Sequence, residues 1–384
     1  MWGQYLRIRF QILKRRPKTL LPIAAAFFIL ILLVWTFGVD LIVRETPYSQ
    51  FTYPLAVSNE DFYKIVTNFR HKTRTAFTPT NQYYSKIAIT PSKTTFGCEN
   101  DHFFFLILVK SAPQNAENRD AIRSTWKKEV FGISTKTLFF IGNSNNGVHQ
   151  EASLILEEER FQDIVRLQYD DTYYNNTIKT VVEMRFAAEI CPNFNYVILL
   201  DDDYYFSVRQ LRQFTEEQDR ERLYAGHVQF PKPVRFRVSE LFLDKILPVF
   251  GVGSSEIDII FRIHCRFDLV TGRNDMTDNK FFIDLDEYPF DYFPRFVNAG
   301  NILLSKSALL DIYYATFFVT PFRFDDVYVA ICAKKMGIEP VHSDRFIRLR
   351  ENGDQPREGL IAAHGYPPER LRMYWEVQKE AGFV

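Results

Sequence analysis

Three consecutive carboxylates, Asp201-Asp202-Asp203, follow directly on the apolar run Tyr196-Val197-Ile198-Leu199-Leu200. Adjacent carboxylates repel one another, so folding alone gives no reason to collect them. A short apolar run of this kind reads as a buried strand. In an α/β sheet the carboxyl ends of the strands are where ligands gather. Oxygen-rich side chains there suit a hard divalent cation, Mg2+ or Mn2+, that bridges to a diphosphate. The plainer reading is an acidic surface turn; the position after a buried strand favours the ligand reading. A second acidic pair, Asp325-Asp326, precedes Val327–Met336, with Gly337 after it. Asp before a helix and Gly after it are ordinary capping residues, so one carboxylate has a structural reason to be there. The other is available as a general base at a crevice wall. His364, in Ala362-Ala363-His364-Gly365-Tyr366, carries alone only the default of a structural or exposed histidine. No GxGxxG, Walker, GxSxG or HExxH pattern is present, which removes support for dinucleotide-fold dehydrogenases, P-loop NTPases, serine hydrolases and zincins.

These residues need a scaffold, and the pattern ahead of them supplies one. The run 102–109 (HFFFLILV) reads as a buried strand, and so do Leu138–Ile141 and Tyr196–Leu200. Asn115–Lys128 reads as a helix, with Ile122 and Trp126 on one face and Arg119 and Arg123 on another. Glu151–Arg160 and Thr177–Ile190 read as further helices, with strand-like Asp163–Leu167 between them. Strands alternating with helices predict an α/β domain with a mostly parallel sheet.

The amino-terminal quarter has a different character. Leu20–Val39 is almost continuously apolar, and Arg7, Arg9, Lys14, Arg15, Arg16 and Lys18 precede it. About twenty residues at ~1.5 Å each cross a ~30 Å hydrocarbon core. The positive-inside rule then leaves residues 1–19 as a cytoplasmic tail, 20–43 as a signal anchor, and the rest on the lumenal side. The run exceeds the core of a cleaved signal peptide. Residues 44–96 carry Ser, Thr, Pro, Asn and Tyr with weak periodicity and read as a stem with one short helix near 60–69; the domain is expected over 97–384. An oxidising lumen permits disulfides among Cys98, Cys191, Cys265 and Cys332, and sequence leaves all three full pairings open. Asn175-Asn176-Thr177 is a glycosylation sequon usable in that compartment. The formal net charge is zero, which gives nucleic-acid binding no basis in overall charge.

Taken in order, the motifs resemble one family. Arg119-Asp120-Ala121-Ile122-Arg123-Ser124-Thr125-Trp126 is similar to the R-x-x-I-R-x-T-W signature of the β-1,3-galactosyltransferases, glycosyltransferase family 31. The resemblance continues through Phe139-Phe140-Ile141-Gly142. It runs on through Asp163-Ile164 with Asp171, Tyr173, Asn175, Thr177, Lys179 and Thr180, then the Asp triplet and Ala225-Gly226-His227-Val228. Tyr288-Pro289, Asp326-Val327 with Cys332 and Met336-Gly337-Ile338, and His364 with Pro367, Glu369 and Trp375 complete it. It covers roughly residues 98–380.

The resemblance implies a GT-A fold, a type II Golgi membrane protein, and inverting transfer of galactose or N-acetylglucosamine from a UDP-sugar to a 3-hydroxyl of a glycan on glycoprotein or glycolipid. It implies that Asp201 and Asp203 belong to a Mn2+ (or Mg2+) diphosphate site, with His364 as second protein ligand. Asp326 becomes the general base, and Arg119, Arg123, Lys179 and Asp202 lie near the donor. A non-catalytic Golgi relative that binds a glycan or another transferase is the rival reading. Departures from the family pattern are Leu199 for Lys, Ala299 and Asn301 for the two glycines flanking a central residue, Asp325 for Glu, and Ala330 for Gly. The stretch 240–276 has no counterpart in the family. It reads either as an insertion packed near the acceptor site or as a segment foreign to the mature protein.

Overall fold

Apolar runs too short for helices and bounded by polar residues become the strands at the centre of the molecule. The computed structural model describes most of residues 44–81, 89–90, 96–229 and 283–384. Almost all of the expected anchor, 20–43, and the whole of 240–276 lie outside the described residues. Among the described residues no helix is long and apolar enough to cross a membrane.

In chain order the elements are α1 (Asn59–Arg70), β1 (Ile89–Thr90), β2 (Phe103–Lys110), α2 (Ala116–Ser124), β3 (Thr135–Asn143), α3 (Val148–Phe161) and β4 (Ile164–Asp170). There follow α4 (Asn176–Arg185), β5 (Phe194–Asp201), β6 (Tyr204–Phe206), α5 (Val208–Glu216), β7 (Tyr224–Gly226) and β8 (Val228–Gln229). After the undescribed stretch come β9 (Phe296–Val297), β10 (Asn301–Ser305), α6 (Lys306–Ala315), α7 (Asp325–Lys335), β11 (Val341–His342), β12 (Phe346–Ile347), β13 (Ala362–His364) and α8 (Pro368–Glu380).

Eight strands form one sheet in the order β1-β4-β3-β2-β5-β10-β7-β11. Its middle, β4-β3-β2-β5, is parallel throughout. That matches the alternation of strand and helix in the sequence, because a parallel neighbour needs a crossover. Beyond β5 the sheet turns mixed, since β10 runs antiparallel to both β5 and β7. Central strands buried on both faces explain the uninterrupted apolar runs: Phe105 to Val109 and Val197 to Leu200 have essentially no exposed surface. A small second sheet, β12-β13-β6, sets His364 opposite Tyr204.

The chain divides into two compact units. In one, residues 1–51 and 232–293, the Thr46 N–H donates to the Pro289 carbonyl and Phe51 packs on Phe290 at 5.0 Å. The other, residues 52–231 and 294–384, contains every element named above.

Helix α1 falls within the stretch read as a stem, and there the structure departs from that reading. Phe62, Ile65 and Val66 are buried, and Phe69 packs edge-on against Phe318 at 5.3 Å. These four residues fall at i, i+3, i+4 and i+7, which makes one apolar stripe that must be covered. Ser58 caps the helix by accepting from the Asp61 N–H. Lys335 of α7 donates to the carbonyl of Val57 at 2.9 Å. The stretch 52–70 is therefore part of the folded unit.

A disulfide joins Cys98 to Cys191 across 93 residues of chain. It ties the approaches to the neighbouring strands β2 and β5, and a loop of that size corresponds to roughly 4–5 kcal/mol in the chain-entropy account. Cys332 is buried and free.

Candidate active site

Strands β2 and β5 are parallel neighbours, and their register ends with Lys110 beside Asp201. From β2 the chain moves to β3 on one side, while β5 lies on the other. The order reverses there, and the crevice outside the carboxyl ends of such strands is the expected ligand position.

Lys110 is the residue that sequence reasoning missed. Its ammonium is buried, 2.5 Å from Asp325 Oδ2 and 3.2 Å from Asp201 Oδ1. Burial alone would lower its pKa, but Asp201, Asp325 and Glu183 outweigh that and raise it well above the usual lysine range. The Thr180 hydroxyl also donates to Asp325 Oδ2 at 2.9 Å. Asp325 is thereby held below the usual carboxylate range despite its burial. Asp201 and Asp325 stood in the acidic motifs, but the only sequence signal for Lys110 itself was a lysine closing an apolar strand, 215 residues from Asp325.

Asp326, next in the chain, is at the first turn of α7 and partly buried. Its carboxylate accepts from the Val327 N–H at 2.8 Å and the Ala299 N–H at 3.2 Å. Burial, with the Asp325 charge beside it, pushes it up to about 7. A carboxylate titrating near neutrality is matched to general-base work.

The three residues of the Asp triplet go to three different partners. Asp201 faces Lys110, and burial raises its pKa. Asp202 turns inward: it accepts from Ser111 Oγ at 2.5 Å, Asn115 Nδ2 at 3.0 Å and Asn118 Nδ2 at 3.3 Å. Burial brings it up to about 6. Asp203 Oδ2 is 2.9 Å from His364 Nε2. That hydrogen bond raises the histidine pKa against its partial burial. The Gly365 and Tyr366 N–H groups bind the Asp203 carbonyl at 3.1 and 2.9 Å, fixing the approach of β13.

Gly300 lets these groups converge. Its φ of +81° lies in the left-handed region, and a Cβ there would overlap Asp201 Oδ2 and Tyr204 Cε2. Its carbonyl accepts from the Asp201 N–H at 3.0 Å.

Other expected site residues are placed differently. Arg119 has no exposed surface. Its guanidinium is held by Glu157 at 2.6 and 2.8 Å, by the Ala112 carbonyl at 2.7 Å and by Ser111 Oγ at 2.9 Å. Arg123 pairs with Glu157 at 2.7 Å and with Asp163 at 2.8 Å. Lys127 also pairs with Asp163. Both arginines are thus balanced inside the fold, and Arg119 reaches Asp202 only through Ser111. Lys179 is buried and donates to the Ser111 carbonyl at 2.9 Å. The Asn175 amide donates to the Asp170 carbonyl at 2.8 Å, and the sequon hydroxyl of Thr177 to the Phe322 carbonyl at 2.6 Å.

Asp203 and His364, each more than a third exposed, offer an oxygen and an imidazole nitrogen side by side. That donor set suits Mn2+ and admits Mg2+ through the oxygen. Among the described residues no group of three or more His, Cys, Asp or Glu side chains forms a ready metal cage. A metal here would take its remaining ligands from substrate or water, as diphosphate sites do.

A mixed α/β sheet, parallel at its centre, with acidic side chains gathered at the carboxyl end of β5 defines the class, an α/β protein with a candidate ligand site at its switch point. The comparisons then give the family. Residues 117–239 and 261–344 match the galactosyltransferase family, and the chain belongs to it. Within the segment 240–276, expected to have no family counterpart, only 240–260 is unmatched; residues 261–276 fall inside the family match, which corrects that part of the expectation. The chain is 30% identical to the β-1,3-galactosyltransferase brn of Drosophila melanogaster over 287 residues, 72% of this chain and 75% of that protein. It is 26% identical to the β-1,3-galactosyltransferase bre-5 of Caenorhabditis elegans over 364 residues, 93% and 92% of the two chains. It is 27% identical to the human UDP-GalNAc:β-1,3-N-acetylgalactosaminyltransferase 1 over 290 residues, 73% and 76% of the two.

Proposed function

We propose that this chain is an inverting β-1,3-glycosyltransferase of GT-A type, using a UDP-sugar, galactose first, and the 3-hydroxyl of a glycan on glycoprotein or glycolipid. The observation that carries the reading is that the Asp203–His364 pair and Asp326 lie close together past the carboxyl end of β5, linked through Tyr204 and Ala299; burial pushes Asp326 up to about 7. A divalent cation, Mn2+ or Mg2+, held by Asp203 and His364 with Asp201 beside them, would neutralise charge on the departing diphosphate. Asp326 takes the proton of the acceptor hydroxyl as its oxygen attacks the anomeric carbon. The C–O bond to UDP breaks on the opposite face, so one displacement turns an α-linked donor into a β product. Lys110 holds Asp201 and Asp325 in place and offsets their charge, so that Asp326 is left as the carboxylate open to the acceptor. The relatives named as galactosyltransferases favour galactose, and the one named for N-acetylgalactosamine makes that sugar the second donor to test.

The compartment belongs to the same reading. The apolar run 20–43 anchors the chain in the Golgi membrane as a single-pass type II protein, with the domain in the lumen. The Cys98–Cys191 disulfide is consistent with an oxidising space.

The test uses the fragment from residue 44, secreted from cells. UDP release is followed with UDP-galactose, UDP-N-acetylgalactosamine and UDP-N-acetylglucosamine separately, with simple acceptors, in Mn2+ or in EDTA. Metal-dependent release with one donor, lost in Asp326→Asn, supports the reading and names the sugar. A folded fragment that neither releases UDP nor binds UDP–Mn2+ by calorimetry would sink it in favour of a non-catalytic relative.

A further inference from the structure

We propose that Tyr204 is a positioning residue that ties the general base to the donor half of the site. The proposal rests on the transferase reading above and adds a role for a residue outside the acidic motifs. Tyr204 is 3% exposed and follows directly on Asp203. Its main chain is fixed twice. β6 pairs with β13 so that Tyr204 lies opposite His364, and Trp126 Nε1 donates to the Tyr204 carbonyl at 3.3 Å. Its side chain then does two things. The ring packs on the His364 imidazole, with centroids 5.1 Å apart and planes at 51°. The hydroxyl donates to the Ala299 carbonyl at 3.1 Å. On the other side of the Ala299 Cα, the Ala299 N–H donates to Asp326 Oδ2 at 3.2 Å.

One residue thus contacts the expected metal ligand His364 and, through a single intervening residue, the expected base Asp326. The next residue is Gly300, whose positive φ and close approach to both Tyr204 and Asp201 shape the same turn. Glycine is the residue least able to hold a backbone in place by itself. The Asp201 N–H holds the Gly300 carbonyl and the Asn298 N–H is bound to the His227 carbonyl; between these two ties the Tyr204 hydroxyl is the side-chain clamp on the Ala299 carbonyl itself, and it aims the Ala299 N–H at the base. The Ala299 carbonyl can only accept, so the phenol hydroxyl is the donor in this bond. Loss of the hydroxyl leaves the ring on His364 in place and frees the turn that carries the hydrogen bond to Asp326. The two halves of the role are separable by substitution.

The experiment compares wild type, Tyr204→Phe, Tyr204→Ala and the double variant Tyr204→Phe with Asp326→Asn, all in the secreted fragment with Mn2+ and the active donor. For Tyr204→Phe the expected result is a loss of about ten-fold in kcat, the size of one lost hydrogen bond. UDP–Mn2+ affinity should stay within about two-fold of wild type. The acidic limb of kcat/KM should move to higher pH, because the Ala299 N–H favours the Asp326 carboxylate. A merely structural role would not move that limb. Tyr204→Ala should lose UDP–Mn2+ affinity as well, since the ring leaves His364. In the Asp326→Asn background, Tyr204→Phe should cost nothing further, because the two substitutions remove one function. The proposal is overturned if Tyr204→Phe leaves kcat and the pH limb unchanged, or if its loss is fully additive with Asp326→Asn. Wild type that binds UDP–Mn2+ but turns over no donor would instead remove the transferase reading, and this role with it.

Discussion

Two charged clusters meet at Ser111, and they treat charge in opposite ways. On one side Arg119, Arg123 and Lys127 are matched by Glu157 and Asp163, with Arg119 fully buried. On the other, Lys110 is the cation between Asp201 and Asp325, with Asp326 and Asp203 nearby and partly exposed. The first cluster is balanced and closed, so it serves as scaffold. The second carries surplus negative charge at the carboxyl ends of β2 and β5, and surplus charge is what a cationic or metal-bridged ligand can use. Ser111 joins them: its hydroxyl donates to Asp202 and accepts from Arg119. Being charged and lying within a family motif does not separate the two roles; being already neutralised does.

The sharpest way to break the comparison is to treat each cluster alike. Asp326→Asn should cut kcat by about 10²–10⁴-fold, the usual scale for general-base catalysis, in a steady-state assay. The same variant should not lose stability above neutral pH. The folded-state pKa of Asp326 stands above its ordinary value, so the carboxylate charge disfavours the fold as pH rises through about 7. Arg119→Met should behave in the reverse way. It leaves Glu157 short of a buried partner and should cost about 3 kcal/mol in denaturant unfolding, with kcat per folded molecule within a few-fold of wild type. A loss of donor affinity without loss of stability would show that Arg119 acts on the ligand after all. Gly300→Ala stands between the two: the positive φ and the overlap with Asp201 should cost about 1–3 kcal/mol, and its activity should fall with it. The smallest effect is titration. With the base near 7, kcat/KM should drop about ten-fold for each pH unit below about 6.5 and level off above 7.5. A flat profile from pH 5.5 to 8 would take Asp326 out of the base role.

The central sheet was legible because its strands are buried on both faces and therefore read as unbroken apolar runs; β2, β3 and β5 fall where those runs lie. Helix α2 ends earlier than its periodicity suggests, with Trp126 buried in the turn that follows. The small sheet of β6, β12 and β13 left no trace of its own, since strands of two or three residues have no period to detect. For that reason His364 entered only through resemblance, and its position opposite Tyr204 came from pairing. Lys110 was hidden for another reason. Lysine at the end of an apolar strand looks like a boundary until Asp325, far along the chain, is folded against it. Residues 62, 65, 66 and 69 carried a clear helical stripe, but the polar stretch around them masked how firmly that stripe is buried.

The docking of α1 bears on where this chain can be cut. A recombinant fragment begun at residue 97, at the start of the recognisable motifs, would remove Phe62, Ile65, Val66 and Phe69. It would uncover Phe318 and strand the Lys335 ammonium without the carbonyl of Val57. Such a fragment would hold every motif of the family and still lack part of its own interior. Expression boundaries are better drawn from which side chains are covered than from where sequence similarity starts.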